Sequence, residues 1–415
     1  MKSAVEAKQT RVCMVSHSSY ESDNRVIRYS EVLAARGDDV HVIALRRSAE
    51  QPREEQLNGV LVHRVQDRFG KPEGSSWSHL WPLLRFAFVA ARWLEREGRQ
   101  RRFDLIHVHN IPDFLVFAAC VAKLRGARVI LDIHDIVPEF FASKFGASVE
   151  SPLFRMLKLM ERASAAVANH VILANHLWLR IYTTRSADPR KCSVVINHVD
   201  DAIFRPQEPP VPTGEAAPLI IFPGGLYWHQ GLDIAIRAFA RLRERMPTAR
   251  FHLYGDGSVK PALISLTEKL GIADSVRFFD PLPLRQIAQI MATADLAVVP
   301  KRADSFGNEA YSTKIMEFMS VGVPVVVSNT RIDRYYFDDS VVRFFESGND
   351  EALAAAMFEL LSDPIARDLQ VRSALDYVER HSWKRHQAEY LRLVDGLIGR
   401  VDLTAEPVVT SGQRS

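Results

Sequence analysis

Two runs of alternating short apolar strands and amphipathic helices, parted by a proline-rich break, most constrain how this 415-residue chain can fold. Strand then helix, repeated, builds a parallel sheet, because each crossover to a parallel neighbour needs a long connection. The first run holds VCMVS from Val12 to Ser16, a helical stretch from Asn24 to Ala35 closed by Gly37, and VHVIAL from Val40 to Leu45. It continues with strands beginning at Val60, Leu105, Val129, His170 and Ser193. FRPQEPPVPTGEAAP, Phe204 to Pro218, is rich in Pro and short of apolar residues, and reads as an interdomain linker. The alternation restarts at Leu219, with further strands from Phe251, Val276, Leu296, Pro324 and Val341. An α/β chain of two doubly wound, Rossmann-like parallel-sheet domains is expected, residues 1–207 and 208–380. The polar ends, Met1 to Gln9 and Leu403 to Ser415, are expected to be disordered.

Composition narrows the class. The chain is 47% hydrophobic and 25% charged, ordinary for a soluble protein, and too long for one comfortable core. It has no apolar run of bilayer-spanning length, and MKSAVEAKQTR has no apolar signal core. Cys13, Cys120 and Cys192 lie far apart in mostly apolar surroundings and read as thiols of a reducing compartment. No Cys/His group has structural-zinc spacing, and a net charge of +3 argues against nucleic acid as a partner.

The stretch from Val299 to Val327 carries the clearest chemistry. Glu309 and Glu317 stand with seven residues between them. The first is in a polar loop after an apolar strand; the second is in a short helix followed by Gly322, Pro324 and another strand. The carboxyl ends of parallel strands are where such sheets bind ligands. A helix starting near Ser312 and Thr313 offers free N–H groups to a phosphate. Carboxylates beside it suit sugar hydroxyls, so the constellation suggests a nucleotide-sugar site.

This segment resembles the Glu-x7-Glu motif of family 4 retaining glycosyltransferases, which have the GT-B fold of two domains facing a central cleft. The resemblance runs from about Arg11 to about Gly399. It implies that Glu309 contacts the donor hexose and Glu317 the ribose hydroxyls. It implies a final helix, within residues 381–402, returning to the first domain. It also implies a nucleoside-diphosphate sugar as donor substrate, no other cofactor and no metal; no Asp-x-Asp motif ends a strand.

Other roles follow from the same resemblance. His134, after the VILDI strand, takes the place of a histidine that approaches the reacting carbon; Asp135 and Glu139 are candidates for the acceptor. His109 and Asn110 are expected to line the acceptor cleft, with His107 facing the other way. The first loop, SHSSYESDNRVIR, lacks the Gly-Gly pair of many relatives; Arg25 is a candidate for acceptor or phosphate, and Asp23 for a helix cap. In the second domain the family's phosphate-binding Arg and Lys are replaced by Gly225 and Gln230. Lys301, Arg302 and Lys314 are expected to supply the missing charge. Gly255 and Gly257 are placed among nucleotide contacts, and Phe279 in the segment that frames the base.

The resulting expectation is a metal-independent, retaining hexosyltransferase. Its acceptor is a lipid-linked or saccharide precursor of a surface polysaccharide, at the cytoplasmic membrane face. Trp77 to Arg102 mixes Trp81, Phe86, Phe88 and Trp93 with six arginines and two glutamates, a composition that reads either as an ordinary helix packed on the sheet or as one lying on anionic lipid. A GT-B sugar-nucleotide epimerase and a non-catalytic sugar-nucleotide-binding partner are the alternatives. A nicotinamide dehydrogenase is disfavoured, since no Gly-x-Gly-x-x-Gly follows the first strand.

Overall fold

The computed structural model describes residues 9–68, 76–145, 148, 150–206, 217–304 and 306–401. The expected disordered ends lie almost wholly outside these residues, as does most of the proline-rich stretch. The chain divides into two units, 1–196 with 387–415, and 197–386.

The first unit is built on eight strands: β1 (Arg11–Ser16), β2 (Asp39–Arg46), β3 (Glu54–Leu57), β4 (Val60–Asp67), β5 (Leu105–His109), β6 (Arg128–Ile133), β7 (His170–Leu173) and β8 (Cys192–Val194). Their order is β3-β4-β2-β1-β5-β6-β7-β8, parallel throughout except β3, which runs antiparallel to β4. Helices α1 (Asn24–Ala35), α2 (Ser76–Gln100), α3 (Cys120–Leu124), α4 (Val137–Phe145), α5 (Pro152–Val167) and α6 (His176–Arg185) connect them. Winding starts at β1 and proceeds outward both ways, so β1 and β5 form a switch point, with Ser16 beside His109 at its carboxyl edge. The antiparallel β3 is an addition to the expected scheme; EEQL is a polar edge strand with no apolar alternation to betray it.

The second unit carries β9 (Leu219–Pro223), β10 (Arg250–Tyr254), β11 (Val276–Phe279), β12 (Leu296–Val299), β13 (Val325–Ser328) and β14 (Arg343–Phe345). The helices are α7 (Leu232–Arg245), α8 (Lys260–Lys269), α9 (Leu284–Met291), α10 (Thr313–Ser320), α11 (Arg331–Tyr336), α12 (Asp350–Ser362) and α13 (Pro364–Arg380). The sheet is wholly parallel, in the order β11-β10-β9-β12-β13-β14, with its switch between β9 and β12. Alternate strand residues feed two cores. Ile220, Phe222, Leu296, Val298 and Val326 join one face with α7 and α12. Ile221, Ala297, Val299, Val325 and Val327 join the other with α9 and α10. Burial on both faces is why these strands read as unbroken apolar runs.

Val199 and Phe204 are buried in the second of these cores. The chain therefore enters the second unit ahead of the proline-rich stretch, not after it. A last helix, α14 (Trp383–Leu397), spans the division, and its residues from Gln387 onward belong to the first unit. There Tyr390 is fully buried, its ring stacked 4.2 Å from Tyr29 and its hydroxyl 3.0 Å from His107 Nδ1.

Helix α2 shows only part of its aromatic content. Phe86 and Trp93 are buried against the sheet, contrary to an all-aromatic lipid face, while Trp81 and Phe88 are exposed.

Candidate functional site

In the second unit a cavity of about 340 Å³ opens at the carboxyl ends of β9 and β10. Pro223, Gly224 and Gly225 border it at the end of β9, and Tyr254, Gly255 and Asp256 at the end of β10. Pro281, Leu282, Leu284, Ile287 and Met291 make an apolar wall; Thr313, Lys314 and Glu317 present one face of α10. These last three share a face because positions three and four apart stack on a helix.

The glycines bring backbone against backbone. A β-carbon on Gly255 (φ 154°) would lie 1.9 Å from the Gly224 carbonyl oxygen, and one on Gly257 2.1 Å from that of Leu226. Gly224 N–H donates to Tyr254 O and Gly255 N–H to Phe279 O, tying the two loops and β11 together. Phe279 does not line the cavity; its ring stacks 4.5 Å from that of Tyr254, which does.

Among the lining residues, positive side-chain charge comes from Lys314, beside the acids Asp256 and Glu317. Its ammonium lies 5.3 Å from the Phe222 ring centroid. Burial pushes its pKa down, Glu317 opposes this and Lys301 adds to it. The start of α10 adds a positive dipole end, and its cap residue Ser312 makes no side-chain capping bond.

The two cations expected to share this work are committed elsewhere. Lys301 is 3% exposed; its ammonium donates to Ala310 O at 2.7 Å and pairs with Asp333 at 3.0 Å. Arg302 pairs with Asp233 at 2.6 Å and stacks over Trp228 at 3.6 Å. Neither borders the cavity. Lys301 instead fixes the end of the Glu309 loop. Within that loop Asp304 Oδ1 accepts from the N–H groups of Phe306 and Gly307. Glu309 has Arg331 at 3.6 Å and is outside the cavity lining, as are Ser312 and Gly257.

In the first unit the switch point gathers a buried ionic cluster. Asp132, fully buried on β6, receives Arg25 through two bonds of 2.7 Å. His109 Nδ1 and His134 Nε2 lie 3.2 and 3.3 Å from the same carboxylate, and 3.1 Å from each other. Burial alone would raise Asp132; Arg25 above all, with His134 and His109, outweighs it and holds the carboxyl well below its usual range. His107 does not face the other way: residues two apart share one face of a strand, and its ring stacks 4.3 Å from that of His109. His107, His109 and Asp132 are close enough to hold a metal ion, but Arg25 already takes both Asp132 oxygens. Asn110 accepts from the N–H of His134 at 2.7 Å and donates to Asp113 and to Asp135 O. Burial pushes Asp135 and Asp113 each up to about 7.

Three acceptor candidates thus prove to be internal. Arg25 is buried against Asp132, because a buried carboxylate needs a cation beside it. His109 is fully buried and Asn110 nearly so, both spent on holding the His134 loop. Glu139 is held by Arg185, which also grips Glu161. His134 keeps a side chain 20% exposed, and Asp135 is half-buried. Asp132 and its partnership with Arg25 were missed in sequence. The signal was a carboxylate amid the apolar residues of VILDI, which demands a partner.

Solved structures share this fold. The chain superposes on sucrose-phosphate synthase of Thermosynechococcus elongatus with a TM-score of 0.76 at 15% identity, covering 95% of this chain and 100% of that one. It superposes on Anabaena Alr3699/HepE in complex with UDP with a TM-score of 0.68 at 15% identity, covering 93% and 100%. The fold is that of a GT-B glycosyltransferase. Residues 205–375 match the family Glycosyl transferases group 1, and residues 23–198 match the Glycosyl transferase 4-like domain. The chain belongs to the group 1 glycosyltransferases, which use nucleotide sugars. D-inositol 3-phosphate glycosyltransferase of Segniliparus rotundus is 28% identical over 370 residues, 86% of this chain and 80% of that one. The enzyme of that name from Thermomonospora curvata is 27% identical over 411 residues, 92% of each.

Proposed function

We propose that the second unit holds the nucleoside diphosphate of a hexose donor, and that the protein transfers the hexose to an acceptor hydroxyl with retention and without a metal. One observation carries this reading: the Lys314 ammonium, the α10 N-terminus and the Glu317 carboxylate all face one cavity beside bare glycine backbone. Lys314 and the helix N-terminus neutralise the diphosphate as negative charge develops on it. Glu317 accepts from the ribose hydroxyls, and Pro281 to Met291 cover the base. Glu309 is assigned to the hexose. In the first unit His134 and Asp135 are assigned to the reacting sugar and the acceptor. Attack on the face the diphosphate leaves, with that group receiving the acceptor proton, gives retention without a protein nucleophile.

The acceptor is a lipid-linked or saccharide precursor of a surface polysaccharide. A phosphorylated polyol is the second reading, favoured because the relatives named above are D-inositol 3-phosphate glycosyltransferases.

Calorimetry with nucleoside diphosphates and sugar nucleotides, followed by transfer assays on both acceptor classes, tests this. Nucleotide binding is expected in the wild type and in Glu309→Ala and His134→Ala, with transfer strongly reduced in both variants. Failure of every nucleoside diphosphate to bind sinks the donor-site reading. Binding without transfer to either acceptor class favours the non-catalytic alternative, and acceptor-free conversion of the sugar nucleotide favours the epimerase.

A further inference from the structure

Unit 1 concentrates its exposed large hydrophobic side chains on neighbouring elements. Among the described residues every one except Val401 lies on α2, on α5, or on α3 and the 3-10 helix Asp113–Ala119 that precedes it. That 3-10 helix packs against both α2 and α5, and α3 continues from it against α2. Single exposed hydrophobics need no explanation, but a gathering on adjacent elements does.

The pattern on each element is regular. On α2, Trp81 and Phe88 are 66% and 63% exposed and stand seven residues apart, on one stripe. Leu124 on α3 is 89% exposed, and Met156 and Leu159 on α5 are 57% and 66% exposed. Basic residues continue the same faces. Arg85, Arg92, Arg96 and Arg99 are exposed along α2, and Arg155 and Arg162 on α5. A groove of about 610 Å³ along α2 is lined by Phe88, Arg92, Arg96 and Arg99. Of the acids nearby, Glu95 is bound by Arg99 and Glu97 by Arg96.

We propose that α2, α3 and α5 form one face that docks on an anionic lipid bilayer, the apolar side chains entering the headgroup boundary and the arginines meeting lipid phosphates. Charge decides the occupant. Trp77 to Arg102 carries six arginines against two glutamates, so a second copy of this face would set arginine against arginine. An anionic surface meets both the charge and the apolar stripe. Among the described residues no helix is long and apolar enough to cross a membrane, so the contact is peripheral. The proposal stands apart from the donor site: vesicle binding can fail while nucleotide binding holds, and the reverse.

Flotation of the full chain with phosphatidylglycerol-containing and pure phosphatidylcholine vesicles, at low and high salt, tests it. The protein is expected to float with the anionic vesicles at low salt only, since exposed charges are screened by salt. Arg92→Gln with Arg96→Gln should lower the partition constant by roughly tenfold or more, at about 1 kcal/mol per basic residue. Trp81→Ser with Phe88→Ser, and separately Leu124→Ser with Leu159→Ser, should each lower it too, with nucleotide binding unchanged in all variants as the check on folding. The proposal is overturned if the wild type ignores anionic vesicles or floats equally with neutral ones. It is also overturned if the α3 and α5 substitutions have no effect. A concentration-dependent dimer abolished by these substitutions, without vesicle binding, would assign the face to a second copy.

Discussion

Lys314 lies so close over Gly224 that a β-carbon at that glycine would stand 2.4 Å from Lys314 Cε and 3.1 Å from its Nζ. The glycine is the seat of the lysine. Gly224 also has φ 130°, which a side chain disfavours. Lys314→Met is expected to weaken nucleoside-diphosphate binding by about ten- to a hundredfold, the loss of a charged hydrogen bond worth ~1.5–3 kcal/mol. The parent nucleoside should bind nearly as before. Gly224→Ala should reproduce the effect with Lys314 intact. Isothermal calorimetry of diphosphate against nucleoside checks both, and equal losses for the two ligands would dissociate Lys314 from the phosphates.

Glu317 is expected to discriminate the ribose. Its alanine variant should bind the ribonucleoside diphosphate about ten- to a hundredfold more weakly, by the same charged-bond magnitude. Binding of the 2′-deoxy analogue should change much less, because one of the lost bonds is absent there already. If both ligands lose the same factor, the carboxylate is not on the ribose.

Lys301 is expected to act on stability. Lys301→Met strands the fully buried Asp333 without its cation, a change costing about 3–5 kcal/mol when a buried pair is broken from one side. Lys301→Met with Asp333→Asn should recover much of that. Urea unfolding of the single and double variants gives the answer. A single variant of unchanged stability and weakened diphosphate affinity would return Lys301 to the phosphate site.

The buried acids of the first unit predict a pH dependence. Burial raises Asp113 to about 7, from an ordinary value near 4 in the unfolded chain. Between these values the folded state holds the proton that the unfolded state has released, so stability falls as pH rises from about 4 through about 7. Asp113→Asn can still accept the Asn110 bond and removes its share of this dependence, leaving that of Asp135. It should leave stability near pH 4 almost unchanged and raise it at pH 8 by roughly 1 kcal/mol or more. Thermal melts across that range decide it. An unchanged pH slope in the variant would show that Asp113 does not titrate in the window.

The sheets were legible because their strands are buried on both faces and so are apolar without interruption. Strand β3 was not, since it meets water along an edge and has no such signature. Of the cavity residues, Thr313 and Glu317 were placed by adjacency to a strand end and a helix start, which sequence order conveys, while Gly225, Gly255 and Lys314 came from the family resemblance. What sequence order does not convey is the distant partner. Lys301 and Lys314 look alike in a string of letters; Asp333, on α11, is what takes Lys301 out of the cavity. Arg25 and Asp132 are 107 residues apart, and the bond between them turned a supposed ligand contact into an interior support.

The backbone contact of Gly255 with Gly224 bears on how such a protein diverges. With 1.9 Å between a would-be β-carbon and a carbonyl oxygen, that side of the cavity admits no mutational variation that leaves the two loops in place. The opposite side, Pro281 to Met291, is made of ordinary side chains on a loop and the short helix α9. On the proposed reading of the cavity, a lineage could exchange one nucleobase for another there, one substitution at a time, while the grip on the diphosphate stayed constant.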